Sequence, residues 1–115
     1  MATATNTDNI LSQMKKGVLE FAILSIIQRG EAYPSDIASE LKESGMQVLE
    51  GTLYPLLTRL KNAGYLDYRW VESTGGPPRK YFSMSESGKA FYQSLETTWQ
   101  ELSKAVNTIT QTKTN

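Results

Sequence analysis

The spacing of apolar residues changes period at Gly64. Before it, in GTLYPLLTRLKNAGYL (residues 51–66), Leu53, Leu56, Leu57, Leu60 and Ala63 recur at steps of three and one, the mark of one buried helical face. After it, Leu66, Tyr68 and Trp70 alternate with Tyr65, Asp67, Arg69 and Val71, which is the period of a strand. A second alternating run sets Lys80, Phe82 and Met84 against Tyr81 and Ser83. Between the two runs Gly75, Gly76, Pro77 and Pro78 stand consecutively, so the pair is expected to be a hairpin with a Gly-Gly-Pro-Pro tip. A helix that passes into a hairpin with no linker leaves few folds to consider.

Two more helices are expected upstream. From about Asn9 to Gln28 the residues Ile10, Leu11, Met14, Val18, Phe21, Ala22, Leu24, Ile26 and Ile27 are too dense for a one-sided stripe, so this helix is expected to be covered on most sides. Arg29-Gly30 ends it, with Gly30 expected in the left-handed region. In AYPSDIASELKES, Pro34 suits the first helical position, Asp36 favours the helix dipole, and Ile37, Ala38 and Leu41 face inward before Ser44-Gly45 stops the helix. The third helix is expected to start near Gly51 or Thr52, since Pro55 lacks an N–H and is harmless only in an opening turn. Downstream, Ser85 is a suitable N-cap with Glu86 in the first turn. Tyr92, Leu95, Trp99, Leu102, Val106 and Ile109 then recur at three and four, a heptad seam that requires another helix.

The chain of 115 residues is about one domain's worth, short enough for a partner subunit to help bury its apolar surface. It has no cysteine and no histidine, which removes disulfides, the usual zinc ligand sets and Cys-His or Ser-His nucleophiles. No convergent carboxylate cluster suggests an acid–base pair, so an enzyme is not expected, and neither a metal nor a cofactor is called for. The most apolar window, VLEFAILSII, is half the length of a membrane span and contains Glu20 and Ser25. With no secretory signal ahead of it, the cytoplasm is the expected location.

Twelve basic and twelve acidic residues cancel, but not evenly along the chain. Residues 1–49 hold four basic and six acidic residues, residues 50–83 five and three, and the remainder three of each. The positive excess therefore sits on the third helix and the hairpin. Counterion displacement from DNA needs local positive potential rather than net charge, so neutrality does not exclude a nucleic-acid partner.

Three helices with a short link between the second and third, then a hairpin and a closing helix, is the order of a winged helix-turn-helix with an added C-terminal helix. The expected class is thus mainly α with a two-stranded wing (α+β). The boundaries are a flexible tail over 1–8, a winged helix-turn-helix DNA-binding domain over 9–85, a dimerisation helix over 86–110 and a second tail over 111–115.

The combination of TLYPLLTRL, the GYL turn, GG-PPRKYF and S-x-S-G-K resembles the PadR family of bacterial transcription factors, in its short subfamily with one C-terminal helix. The likeness runs from about Met14 to Val106. It implies a homodimer, joined through the last and first helices, that binds a palindromic operator in double-stranded DNA and represses a nearby gene such as a transporter or stress gene. Short members similar to the multidrug regulator LmrR hold flat aromatic ligands between paired tryptophans at the dimer centre. Trp99 matches that position by its place in the last helix, and Met14 joins it as a candidate ligand contact, with an aromatic or drug-like effector implied.

Candidate DNA contacts on the third helix are Thr52, Tyr54, Pro55, Thr58, Arg59 and Asn62, and on the wing Gly75, Gly76, Arg79 and Lys80. The bland alternatives are a solvated helix side for the first group and a solvated basic pair for Arg79-Lys80; Tyr54 could pack on the wing with its hydroxyl alone reaching a phosphate. Candidate dimer contacts are Ile10 and Met14 from the first helix, then Phe91, Tyr92, Leu95, Trp99, Leu102, Val106 and Ile109 from the last, with plain core packing the alternative for Met14, Phe91, Leu95 and Trp99. Winged helices also serve as protein-interaction modules without DNA binding, and that reading stays open at this point.

Overall fold

The computed structural model describes residue 10 and residues 14–111. The expected N-terminal tail, positions 9 and 11–13 of the expected first helix, and residues 112–115 lie outside the described residues. The order of elements is α1 (Leu19–Gln28), α2 (Pro34–Glu43), α3 (Glu50–Asn62), β1 (Leu66–Ser73), β2 (Gly76–Met84) and α4 (Glu86–Thr110). Helices plus a two-stranded antiparallel sheet, closed by a long helix, is the architecture expected of the sequence.

One uninterrupted helix from Asn9 to Gln28 is not what forms. Met14 and Lys15 are helical, Lys16 to Val18 make a turn, and α1 starts only at Leu19. The Val18 N–H bonds to the Lys15 carbonyl at 2.9 Å, a three-residue closure, before regular bonding resumes from Ala22 to Val18 at 3.0 Å. Gly17 sits in this turn with open space where a Cβ would be, so its place there reflects the conformational cost of glycine in a helix, about 1 kcal/mol. Within α1 itself the expected cover on most sides is present, since every residue but Gln28 is buried or half-buried. Leu19, Ile23, Leu24 and Ile27 are buried, while Phe21, Ala22, Ser25 and Ile26 are half-buried along the opposite edge. Gly30 is not left-handed; the helix closes with tightened bonds from Arg29 to Ile26 and Gly30 to Ile27, and the positive-φ glycines among the described residues are Gly45, Gly64 and Gly75.

Pro34 takes the first position of α2, and the Asp36 carboxylate accepts a bond from the Tyr33 N–H at 3.1 Å. Helix α3 begins at Glu50, a residue earlier than expected, which moves Pro55 into its second turn. Pro55 is exposed, so water can serve the carbonyl its missing N–H would have bonded. Leu53, Leu57 and Leu60 are buried on the inner face of α3, each contributing about 2 kcal/mol. They meet Ile23, Leu24 and Ile27 of α1, Ile37 and Leu41 of α2, and Leu66 and Phe82 at the base of the hairpin in one core.

The hairpin register pairs Leu66 with Met84, Tyr68 with Phe82 and Trp70 with Lys80, as the alternation predicts. Its tip differs from the expected one. Ser73 pairs with Gly76 around a two-residue turn of Thr74 and Gly75, and Pro77 and Pro78 belong to β2. They stand at a register shift between Val71 and Ser73, where the ladder is irregular and a residue with no N–H to donate costs least.

Helix α4 is capped as the sequence predicts, with the Gly88 N–H donating to Ser85 Oγ at 3.0 Å. Ser85 and Ser87 both donate to the carbonyl of Gly64, at 2.5 and 2.7 Å, so the start of α4 is tied to the end of α3.

Candidate nucleic-acid interface

At 100° per residue the exposed arc of α3 runs Tyr54, Thr58, Asn62, Pro55, Arg59, Thr52, from the wing side round to the α1 side. All six are exposed, because the three leucines opposite them hold the helix against the core. The wing rises beside Tyr54 and Thr58. Together they enclose a cleft of about 440 Å³, lined by Tyr54, Leu57 and Thr58 from α3, Trp70, Pro78, Arg79, Lys80 and Phe82 from the hairpin, and Pro34 and Ser35 from the start of α2.

Of the ten residues singled out from the sequence, Tyr54, Thr58, Arg79 and Lys80 therefore line one cleft. Pro55 and Asn62 lie further round the same helix, and Gly75 and Gly76 at the exposed hairpin tip. Thr52 borders a separate hollow with Lys15, Lys16, Leu19 and the α2–α3 turn, where Lys15 Nζ donates to the Gln47 carbonyl at 2.7 Å. Arg59 faces α1 and is ion-paired with Glu20, so part of its charge is answered within the chain.

The two wing cations are held differently because adjacent strand residues face opposite ways. Lys80 Nζ lies 4.4 Å from the Tyr68 ring centre and 5.5 Å from that of Trp70, and Lys61 reaches the same Tyr68 at 5.6 Å. Arg79 lies 3.8 Å over the Tyr33 ring and donates to Ser35 Oγ at 2.7 Å. No carboxylate stands within ion-pair distance of Arg79, Lys80 or Lys61 among the described residues. Arg69 differs: both its Nε and Nη2 donate to Glu31 at 3.0 Å. That hydrogen bond and the neighbouring positive charge lower the Glu31 pKa below the usual carboxylate range and raise that of Arg69. The cleft is thus edged by cations whose charge remains available, over neutral aromatic walls.

Trp70, Ser35 and Tyr33 were not singled out as site residues by sequence reasoning. Period alone places Trp70 on the face of Leu66 and Tyr68, but burial falls along β1 from Leu66 to Trp70, which is 59% exposed where the sheet runs past the core. Its cross-strand pairing with Lys80 was the available signal. For Ser35 and Tyr33, nothing local in sequence points across to a residue more than forty positions away.

The candidate dimer residues divide. Phe91 stacks on Tyr65 at 4.1 Å and Tyr92 on Phe21 at 5.6 Å, and with Leu95 they pack against the chain's own core. Beyond them Trp99, Leu102, Val106 and Ile109 are exposed along α4, as are Ile10 and Met14 near the start of the chain. Trp99 lies 6.3 Å from Phe21, and both line an open apolar groove of about 400 Å³ that also involves Val18, Ser25, Ile26 and Met46.

The family model described as the PadR-like family of transcriptional regulators matches residues 23–94. A solved PadR-like transcription factor from Bacteroides fragilis is 53% identical and aligns with a TM-score of 0.74, over 88% of this chain and 98% of that one. The negative transcriptional regulator PadR of Bacillus subtilis is 31% identical over 75 residues, 63% of this chain and 41% of that protein. The crystal structure of Bacillus subtilis PadR in complex with operator DNA aligns at a TM-score of 0.63 with 28% identity, over 67% of this chain and 45% of that one. Among the described residues no helix is long and apolar enough to cross a membrane.

Proposed function

The chain belongs to the PadR-like family of DNA-binding transcriptional regulators, and from that premise we propose that it is a homodimeric repressor which reads a palindromic operator with α3 and grips the backbone with the wing. The observation that carries this reading is the cleft between α3 and the hairpin, where Arg79 and Lys80 stand with no carboxylate partner among the described residues, beside the exposed side chains of Tyr54 and Thr58. Phosphate contacts from such cations fix register, and polar side chains on an exposed helix arc reach base edges. The Bacillus subtilis relative is named as a negative regulator and has been crystallised with operator DNA, which supports the same direction of control here.

The assembly in this reading is twofold. Residues 9–85 form the DNA-binding unit and 86–110 the dimerisation helix. An apolar stripe of Trp99, Leu102, Val106 and Ile109 on a helix reaching away from its own core is surface that a second copy would cover. The groove beside Trp99, with Phe21 and Met46 on its walls, supports a flat aromatic effector at the dimer centre, as in the short LmrR-like subfamily. In this reading the repressor acts in the cytoplasm.

A fluorescence-anisotropy titration of the purified protein against the duplex upstream of its own gene tests the proposal. Binding should tighten steeply as salt falls and exceed binding to a scrambled duplex. Salt-independent or absent binding would leave a protein-interaction module in its place.

A further inference from the structure

The wing is joined to the rest of the chain by more than its own ladder. Ala32 and Phe82 exchange both backbone hydrogen bonds, at 3.0 and 2.9 Å, as an isolated antiparallel bridge. Residues 31–33 therefore run beside β2 as a third extended segment. Antiparallel pairing at Ala32 sets Tyr33 beside Tyr81, and Tyr81 is already opposite Arg69 in the hairpin. Tyr33, Tyr81 and Arg69 thus form one row across three segments. Arg79 and Glu31, each two residues along, share that face and reach diagonally.

The result is a continuous stack. The Tyr33 and Tyr81 rings lie 4.5 Å apart at 26°, Arg79 covers the outer face of the pair at 3.8 Å from the Tyr33 centre, and Arg69 lies 5.1 Å from the Tyr81 centre. Glu31 closes the far end with its two bonds to Arg69. One end is neutralised. The other presents Arg79, unpaired with any carboxylate among the described residues, in the lining of the α3–wing cleft.

We propose that Tyr33, Tyr81 and Arg69 are positioning residues for Arg79, fixing its guanidinium for a DNA phosphate before DNA arrives. The proposal rests on the DNA reading above. A solvated arginine surrenders rotamer freedom when it meets a phosphate, whereas a stacked one has surrendered it on folding, so the stack lowers the cost of contact. A planar guanidinium is needed for this, and a lysine in its place would keep the charge while losing the stack.

The test has two arms, both on the full chain. Without DNA, NMR should find the Arg79 side-chain protons displaced upfield by the Tyr33 ring. In Tyr81→Leu they should move toward free-arginine values, and in Tyr81→Phe they should stay. With an operator duplex recovered from bound genomic fragments, Tyr81→Leu should weaken binding about three- to fivefold, and have no further effect in an Arg79→Ala background. Arg69→Gln, on an exposed side chain, should act in the same direction and serves if Tyr81→Leu does not fold. Unchanged Arg79 resonances, or equal affinity losses with and without Arg79, would overturn the positioning role. If the resonances shift as stated but the wild-type chain ignores duplex DNA, the DNA reading fails while the stack stands as a clasp of the wing.

Discussion

Gly88 approaches Tyr65 so closely that a Cβ on Gly88 would stand 2.0 Å from the Tyr65 carbonyl oxygen. The same carbonyl accepts the Ser85 N–H at 3.1 Å, so moving it away from Gly88 would strain that bond. Beside it Tyr65 stacks on Phe91 at 4.1 Å. This contact joins the end of the α3 helix to the start of α4 and explains why glycine follows the two serines in SESG. Gly88→Ala should lower stability by about 3 kcal/mol through overpacking against backbone. Thermal unfolding checks it; a change under about 0.5 kcal/mol would mean the contact opens freely.

The wing cations should act as charges rather than as readers of sequence. Arg79→Ala combined with Lys80→Ala should weaken operator and random duplexes alike, and reduce the slope of log affinity against log salt by about two per protomer if both reach phosphates. A slope equal to that of the wild type would remove both from the backbone contact.

Thr58 and Asn62 are expected to do the opposite. Both are exposed polar side chains on the α3 arc. Thr58→Ala or Asn62→Ala should cost about 1 to 3 kcal/mol on the operator and little on random DNA, changing the preferred base at one position per half-site. Equal losses on both duplexes would show phosphate contact instead.

Glu31 gives the stack a pH dependence. Its carboxyl is held below the usual range by the hydrogen bond from Arg69 and then by that residue's charge. A depressed folded-state pKa contributes stability above the unfolded value, lost as pH falls through the folded one. The stability difference between wild type and Glu31→Gln should therefore be constant near neutrality and close on acidification below the ordinary carboxylate range. The pair is exposed, so the difference is small at every pH. A difference that persists at the lowest pH would assign the effect to packing.

The sequence carried the architecture well because its signals were local. The leucine spacing of α3, the change of period at Gly64, the Ser85 cap and the hairpin alternation all depend on residues within a few positions of each other. Local signals also misled. Gly-Gly-Pro-Pro marks a turn, but which two residues make it depends on the register of the whole ladder, and a two-residue loop through Thr74 and Gly75 fits the strand twist. The break at Lys16–Val18 was hidden by an apolar pattern that continues across it. What no local pattern could supply is pairing across the chain. Arg79 with Tyr33, Arg59 with Glu20 and Arg69 with Glu31 are each separated by tens of residues, and they decide which cations are left for DNA.

The exposed half of α4 sets the last prediction. Phe91, Tyr92 and Leu95 already have partners within the chain, so charge introduced beyond them need not disturb the core. Leu102 and Val106 are 53% and 47% exposed and lie one helical turn apart on the stripe that continues from Trp99. Leu102→Glu with Val106→Glu should leave a folded protein that sediments as a monomer, because in the proposed dimer four acidic groups would face one another across the seam. A palindromic operator presents half-sites about 34 Å apart, and losing the linkage between two recognition helices should reduce operator affinity by about 10²- to 10⁴-fold while leaving binding to a single half-site nearly intact. Sedimentation velocity and half-site titrations measure the two effects separately. A variant that stays dimeric, or a monomer with undiminished operator affinity, would place the assembly surface elsewhere on the chain.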